Sequence, residues 1–418
     1  MSSSNNNNHQ KEEQKNLVSL SRYKKAPKVV LENVGNSCYM NSVVQCLANI
    51  RSIIKYYLTN NNDIKKKIQE LPISYGFSRI IFQLYPFPED SLNKSFSIKT
   101  FQRTIAYYNR CFKGDDYKNA KDFLIYLLEN LHKEDKLFRS PKNDNSEKTK
   151  NGNNPVNKNF KEYLQYLIDN EKSIISDNFC WINQKIKKCQ SCGKEDISYQ
   201  NFFSFELNLE DAINNIPSKE VNPKNSREIS IIDCIQNQMK NHVLKMYCKA
   251  CSKKCDFQIK KSISFAPDIF IFLNGTKDSG DVLRQKMYEK DISFNLSDDN
   301  VYTIDLSKII KDANSNKIYS LQGVVCSQRI TSSEKIKYVA FCKNPIDSKW
   351  YKYKGNEDIS VINQMQLDLF MSELFPEIFF YKQEKNEWEY WKISLFIFIT
   401  KIEWKFIKLK AYKIIIFI

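Results

Sequence analysis

The chain has 418 residues, of which 42% are hydrophobic, 13% aromatic and 27% charged, so it can bury a core and is no disordered polyampholyte. Glycine supplies only 9 residues, which excludes collagen-like and glycine-linker architectures. The formal net charge of +16 would suit a nucleic-acid partner, but no RRM, KH or zinc-knuckle pattern accompanies it. A lysine-rich, solvated surface is the favoured interpretation.

The two ends of the chain are polar or only briefly apolar. Residues 1–26 are low in complexity and predict a disordered arm without an apolar signal core. The apolar run Ile393–Thr400 is far shorter than the roughly 20 residues that span a bilayer. We therefore predict an intracellular protein of the cytoplasm or nucleus, with no membrane contact and with its 12 cysteines present as thiols or metal ligands.

Helical patterns come first in the chain and strand patterns later. The turn cluster Asn33–Ser37 predicts a cap for a helix that starts at Cys38, and apolar residues at helical spacing predict a second helix over about 119–134. Residues 141–158 predict a polar loop, and alternating runs from about 178 onward predict strands. This order favours an α+β protein. The status of the tail, 384–418, stays open.

Cys38 is the candidate nucleophile. At the start of a helix, backbone N–H groups and the macrodipole lower a thiol pKa and favour the reactive thiolate. Asn33, five residues earlier, can direct its amide toward the oxyanion that forms when a thiolate attacks a carbonyl. A buried structural cysteine beside a helix cap is the alternative.

Two Cys-x-x-Cys pairs predict a metal site. They are Cys189-Gln-Ser-Cys192 and Cys248-Lys-Ala-Cys251. In an intracellular chain, four thiolates in such pairs suit tetrahedral Zn²⁺, and the long gap between the pairs requires intervening strands. A redox role or a coincidental pairing is the alternative. The part played by the nearby Cys255 is left unassigned.

A longer string around Cys38 resembles the cysteine box of the ubiquitin-specific proteases. It reads Asn33-Val-Gly-Asn-Ser-Cys38-Tyr-Met-Asn-Ser-Val-Val-Gln-Cys-Leu47. The resemblance places Cys38 at the nucleophile position and Asn33 at the oxyanion-hole position. It implies a papain-like fold over 27–383 with a helical thumb, a β-rich palm and zinc-ribbon fingers at 178–262. It also implies ubiquitin as partner, a structural Zn²⁺ and thiol-dependent removal of ubiquitin from proteins.

Three further segments support the resemblance over about 28–382. Asn119–Glu134 is similar to the family's glutamine-aspartate-alanine box, although Tyr117 or Lys118 holds the glutamine position and Asp122 replaces glutamate. Phe265–Leu273 resembles a strand that normally ends in a basic-aromatic pair, where this chain has Asn274-Gly275. Pro376–Tyr381 resembles the closing strand.

The base side of the catalytic site departs from the family pattern. Lys337 occupies the position of the family's histidine, and the orienting acid falls at Lys354, or with one inserted residue at Gly355 or Asn356. Of these only Asn356 could serve. Lysine has an ordinary pKa of about 10.4, so Lys337 would need desolvation or crowding by other cations to act as a base, or it could pair with the Cys38 thiolate.

The chain's three histidines predict no replacement base. His9, His132 and His242 are expected to be solvated or structural. We therefore predict a ubiquitin-recognising homologue with weak or lost catalysis, a pseudoenzyme candidate. The alternatives are an active deubiquitinase with an unforeseen base, beginning with Lys337 and His132, and a ubiquitin-binding scaffold without chemistry.

Overall fold

The computed structural model describes residues 26, 28–86, 94–114, 118–139, 159–214, 227–275, 292–295, 302–310, 317–329 and 336–384. Apart from Ala26 and Glu384, the predicted arm 1–26, loop 141–158 and tail 384–418 lie outside these ranges. None of the helices within these ranges combines the length and the apolar character needed to cross a bilayer.

Helices dominate the N-terminal half, and all of them except Phe160–Asn170 form a helical layer around one core. They are α1 Cys38–Leu47, α2 Arg51–Lys66, α3 Pro72–Leu84, α4 Lys99–Tyr108, α5 Ala120–Arg139, α6 Phe160–Asn170 and α7 Ile174–Phe179. Three more helices follow, α8 Leu209–Asn214, α9 Ile231–Met239 and α10 Gln364–Glu373. The predicted helix over 119–134 is α5, which extends to Arg139 and buries the apolar face that its spacing defines.

Strands dominate from Trp181 onward. The first two lie earlier, β1 Val30–Glu32 and β2 Ser95–Ser97. The others are β3 Trp181–Cys189, β4 Glu195–Phe202, β5 Phe205–Asn208, β6 Arg227–Ser230, β7 His242–Cys248, β8 Lys253–Phe265, β9 Ile269–Gly275, β10 Ile292–Asn295, β11 Thr303–Asp305, β12 Ile318–Arg329, β13 Ile336–Lys343, β14 Trp350–Tyr353, β15 Ser360–Ile362 and β16 Phe375–Gln383.

Two sheets organise these strands. The central sheet has the order β15-β14-β13-β12-β16-β9-β5, with β11 paired to β12, and is antiparallel except for the β5–β9 pair. The outer sheet has the order β4-β3-β8-β7 and is antiparallel throughout. Two parallel pairs, β1 with β2 and β6 with β10, complete the described strands.

The central sheet separates two hydrophobic cores. Because side chains alternate along a strand, Tyr338, Ala340 and Cys342 of β13 join the core shared with the helical layer, whereas Val339 and Phe341 join the core on the opposite face. Helix α1 packs directly against β13. The packing brings the start of α1, which carries Cys38, to the start of β13, which carries Lys337.

Candidate active site and cysteine cluster

Cys38 is the first residue of α1, as the turn cluster predicted. Ser37 stands at the N-cap, but its side chain makes no capping bond to the helix. Its hydroxyl instead accepts the N–H of Val34 at 2.8 Å and so closes the preceding turn. The predicted helix start and cap position are confirmed, although the Ser37 hydroxyl bonds within the preceding turn rather than to the helix.

The Cys38 thiol lies in a half-buried position between α1 and β13. Its Sγ lies 4.0 Å from the carbonyl oxygen of Ile336, to which the thiol donates. Burial raises the pKa of Cys38, although backbone groups of Tyr338, Tyr39 and Cys38 and the charge of Lys337 act in the opposite direction. The expectation of a lowered thiol pKa is therefore wrong, because desolvation outweighs the helix start and the lysine.

Asn33 is held from two directions beside this helix. Its Oδ1 accepts the Asn41 amide at 2.8 Å, and Asn41 also donates to the carbonyl of Leu31 at 3.0 Å. Its backbone N–H donates to Asn356 Oδ1 at 2.6 Å. Gly355 has φ +53°, and a Cβ at this position would clash with Asn33 Nδ2. The amide of Asn33 thus has a fixed orientation that depends on a glycine.

The residues at the expected positions of the base and its orienting acid are exposed or bound to other groups. Lys337 is exposed on β13 opposite Gln328, and its charge acts to lower the pKa of Cys38. Lys354 forms an ion pair with Glu357 at 2.8 Å. Asn356, the remaining candidate for orienting a base, uses its side-chain oxygen on Asn33. Cys38 and Lys337 thus lie at the seam where the start of α1 meets the start of β13, and Asn33 and Asn356 are bound to each other beside α1. Among the described residues, none hydrogen-bonds or ion-pairs with the Lys337 side chain to orient it as a base.

The histidines of the described chain are structural or exposed. Both ring nitrogens of the buried His132 are engaged, Nδ1 with Ser173 Oγ at 2.7 Å and Nε2 with Glu171 Oε2 at 2.9 Å. Burial lowers the pKa of His132 despite the Glu171 carboxylate. His242 is exposed at the start of β7, opposite Ile259. His9 lies outside the described residues.

Glu377 is a residue of this seam that the sequence analysis missed. It is buried in β16, where burial raises its pKa while hydrogen bonds from Ser327 and Tyr338 and the charge of Lys121 partly offset the effect. Tyr338 is also the residue whose backbone contacts Cys38. A single carboxylate within the otherwise apolar run Phe375–Tyr381 was the available signal.

The four predicted metal ligands converge at the end of the outer sheet. Cys189 ends β3 and Cys248 ends β7, and each is followed by a tight turn that presents the second cysteine of its pair. Their sulfur atoms all lie within 4.8 Å of one another. Backbone N–H groups of Cys192 and Ser191 are the main influences that lower the pKa of Cys189 to about 6.

The spacing of these sulfurs fits a tetrahedral zinc site. Zn–S bonds of about 2.3 Å in a tetrahedron place neighbouring sulfurs about 3.8 Å apart. The Cys189–Cys251 and Cys192–Cys248 sulfur pairs are separated by 3.9 and 3.7 Å. The donor set and its geometry could therefore hold a structural zinc ion.

A cysteine at a helix start, packed on a mixed sheet beside a four-cysteine outer sheet, defines a protein of the ubiquitin-specific protease fold. Solved chains that share this fold include one from a SAGA DUB module bound to ubiquitin aldehyde, with a TM-score of 0.58 and 17% identity, covering 88% of this chain and 71% of that one. Another comes from a SAGA DUB module bound to monoubiquitin, with a TM-score of 0.61 and 15% identity, covering 91% of this chain and 75% of that one.

Sequence comparison identifies the family. The family model described as ubiquitin carboxyl-terminal hydrolase matches residues 29–381, and the chain belongs to this family. Ubiquitin carboxyl-terminal hydrolase 2 of Bos taurus is 25% identical over 349 residues, covering 81% of this chain and 52% of the relative. Ubiquitin carboxyl-terminal hydrolase Usp2 of Drosophila melanogaster is 22% identical over 333 residues, covering 78% and 32%. The chain thus spans about half or less of these relatives.

Proposed function

We propose that the chain recognises ubiquitin and carries an impaired form of the family reaction, the thiol-dependent removal of ubiquitin from proteins. Cys38 is the nucleophile and Asn33 the oxyanion donor. The observation that carries this proposal is the packing of α1 on β13, which puts the Cys38 thiol beside Ile336 and Tyr338, while Asn41 binds the Asn33 amide and Gly355 leaves room for it.

The impairment follows from proton handling. A cysteine nucleophile needs a group that takes the thiol proton and returns it to the leaving amine. Lys337 is a cation on an exposed position, and Cys38 is stabilised as a thiol by burial and by the carbonyl of Ile336. Catalysis then depends on the small thiolate fraction of Cys38 and on water as proton carrier.

The outer sheet supports the binding half of the proposal. Strand β7 exposes Val243, Leu244 and Tyr247 by 54, 45 and 63% of their surface. Exposed apolar side chains gathered on one strand are typical of an interaction surface. We infer that this strand contacts ubiquitin and that a structural Zn²⁺, held by Cys189, Cys192, Cys248 and Cys251, keeps the end of the sheet in place.

Titration of the zinc-supplemented chain with ubiquitin by calorimetry tests recognition. Tyr247→Glu should weaken the affinity by about tenfold or more, because it places a charge in an apolar contact. The matched control is Tyr107→Glu on α4, a tyrosine that is 80% exposed outside the proposed surface. Equal effects of the two substitutions, or no binding by the unaltered chain, would contradict the proposal.

A ubiquitin-binding scaffold without chemistry is the second candidate, favoured by the raised pKa of Cys38. Cys38→Ala separates the two candidates. Under the enzyme proposal the substitution leaves ubiquitin affinity intact and removes the residual hydrolysis of a ubiquitin C-terminal amide. Under the scaffold alternative the unaltered chain and the variant are indistinguishable in both assays.

A further inference from the structure

A groove lies on the helical layer between α4 and the short 3₁₀ helix Arg110–Phe112. Its volume is about 530 Å³. Helix α4 buries Phe101 and Ile105 in the core, so its other side is left to form one wall of the groove. The side chains that line the groove include those of Gln102, Arg103, Tyr107, Arg110, Phe112 and Lys113.

The groove is cationic. The segment 94–114 contains five lysines and arginines and no acidic residue. Arg103, Arg110 and Lys113 are exposed, and none of them forms an ion pair with a residue that the structure describes. Only nine of the chain's 64 lysines and arginines are arginines, and two of the nine line this groove. Because a guanidinium can bind a carboxylate through two parallel hydrogen bonds, the groove suits a partner rich in carboxylates.

Tyr107 adds an uncovered aromatic surface to these charges. It is 80% exposed, and its ring meets the ring of Tyr108, which is 53% exposed, edge to face at 5.0 Å. Tyrosine and arginine are enriched at the centres of protein–protein contacts. Exposed rings beside cations also suit the bases of single-stranded nucleic acid, so the location of the groove has to decide between the two kinds of partner.

The groove adjoins the seam around Cys38. The side-chain amide of Gln102 donates to the carbonyl of Val34 at 3.4 Å, in the turn that precedes Cys38. Phe112 stacks on Tyr39, the residue after Cys38, with ring centroids 6.3 Å apart. An occupant of the groove would therefore lie beside the proposed nucleophile, whereas the proposed ubiquitin contact is on strand β7 of the outer sheet. This location favours a protein that reaches the seam together with ubiquitin.

We propose that the groove binds an acidic segment of the protein to which ubiquitin is attached. Arg103, Arg110 and Lys113 pair with the carboxylates of that segment, and Tyr107 packs against it. The family reaction at Cys38 separates two proteins, and the groove holds the one that is not ubiquitin. The inference rests on the proposed function, because it requires a ubiquitin-linked protein at the seam.

Fluorescence anisotropy with full-length Cys38→Ala, which cannot hydrolyse the probes, tests the inference. The labelled probes are ubiquitin, ubiquitin joined through its C-terminus to a lysine of a glutamate-rich peptide, and the same conjugate with glutamine in place of every glutamate. The glutamate-rich conjugate should bind about tenfold more tightly than the other two, the size expected for three exposed ion pairs together. Added salt should remove this preference, because it screens exposed charges.

Arg103→Gln/Arg110→Gln, introduced into the same chain, should remove most of the preference and leave the affinity for ubiquitin itself unchanged. The matched control is Lys65→Gln/Arg79→Gln, which removes two exposed cations of α2 and α3 outside the groove. The control should retain the preference, since it changes the net charge of +16 by the same amount. Equal losses in the two double variants would overturn the inference, because they would assign the preference to net charge.

The remaining outcomes separate the inference from its alternatives. Asp115 and Asp116 follow the groove in the sequence and lie outside the described residues. Asp115→Asn/Asp116→Asn should not weaken the glutamate-rich conjugate, and a weaker affinity would contradict pairing with the cations. A single-stranded RNA that binds the groove more tightly than the conjugate would assign it to nucleic acid. Ubiquitin bound without preference for the glutamate-rich conjugate would overturn the inference alone, whereas failure of all three probes to bind would overturn the proposed function as well.

Discussion

The cysteine cluster lies where two strands end, whereas Cys38 starts a helix that packs on β13, and the two regions differ in completeness. In the cluster, four identical thiols converge at sulfur separations that suit one tetrahedral ion. In the seam, Cys38 and Asn33 hold the positions proposed for the nucleophile and the oxyanion donor, while Lys337 holds the position that the resemblance assigns to the family's histidine and Asn356 is bound to Asn33. The comparison favours the proposal that the binding scaffold is retained more fully than the catalytic machinery.

Metal removal should have the largest effect, and it tests the cysteine cluster. If free zinc exceeds its dissociation constant about 1000-fold, binding contributes about 4 kcal/mol to folding, and a chelator removes that contribution. The measurement is chemical unfolding followed by circular dichroism with and without chelator. Cys189→Ser should be insensitive to the chelator because it lacks a ligand. An unaltered chain that ignores the chelator would contradict the zinc proposal.

Lys337→His tests the seam around Cys38 by supplying a base. General base catalysis contributes about 10²- to 10⁴-fold, and the gain should lie near 10² because Asn356 remains engaged with Asn33. The measurement is kcat/KM on a ubiquitin C-terminal amide. Lys337→Gln is the control, since it removes the charge without supplying a base. The account fails here if histidine and glutamine give the same rate.

Gly355→Ala tests whether hydrolysis depends on the orientation of Asn33, the proposed oxyanion donor. The left-handed conformation at φ +53° should cost about 1–2 kcal/mol of stability for alanine. Its Cβ would also displace the Asn33 amide, so residual hydrolysis should fall as well. Gly193→Ala is matched for conformation, with φ +71° and nothing within 4 Å. Equal losses of hydrolysis in the two variants would show that Asn33 is not involved.

The pH dependence of Cys38 alkylation gives the smallest expected effect. Because the folded chain raises the thiol pKa above the ordinary 9.0, the thiolate fraction and the alkylation rate should still be rising as pH passes 9. Lys337→Met removes a charge that favours thiolate and should move the profile to still higher pH. Mass spectrometry of the Cys38 peptide, with Cys38→Ala as reference, follows the rate. A profile centred below pH 9 would contradict the burial argument.

Local pattern predicted much of the fold. The turn before Cys38 predicted the start of α1, the spacing of apolar residues predicted α5, and the change of pattern after about 178 predicted that strands follow. The Cys-x-x-Cys pairs predicted four ligands that the structure brings together. Each of these features depends on residues that are near in sequence or share one chemistry.

The features that the sequence did not predict depend on contacts between residues that are far apart in the chain. The bond from Asn33 to Asn356 joins residues 323 positions apart. The raised pKa of Cys38 depends on how deeply α1 packs against β13, which no motif specifies. The position of Cys255 on the same face as Cys248 required the register of β7 on β8, so its place beside the cysteine cluster appeared only in the fold.

The most direct test of the account is the hydrolysis of a ubiquitin C-terminal fluorogenic amide by zinc-loaded chain, with Cys38→Ala measured in parallel. The account predicts binding of ubiquitin together with a turnover at least about 10³-fold below the median enzyme value of about 10 per second, since the thiol lacks a base. Turnover near that median value, abolished by Cys38→Ala, would contradict it and require a base that Lys337 does not provide.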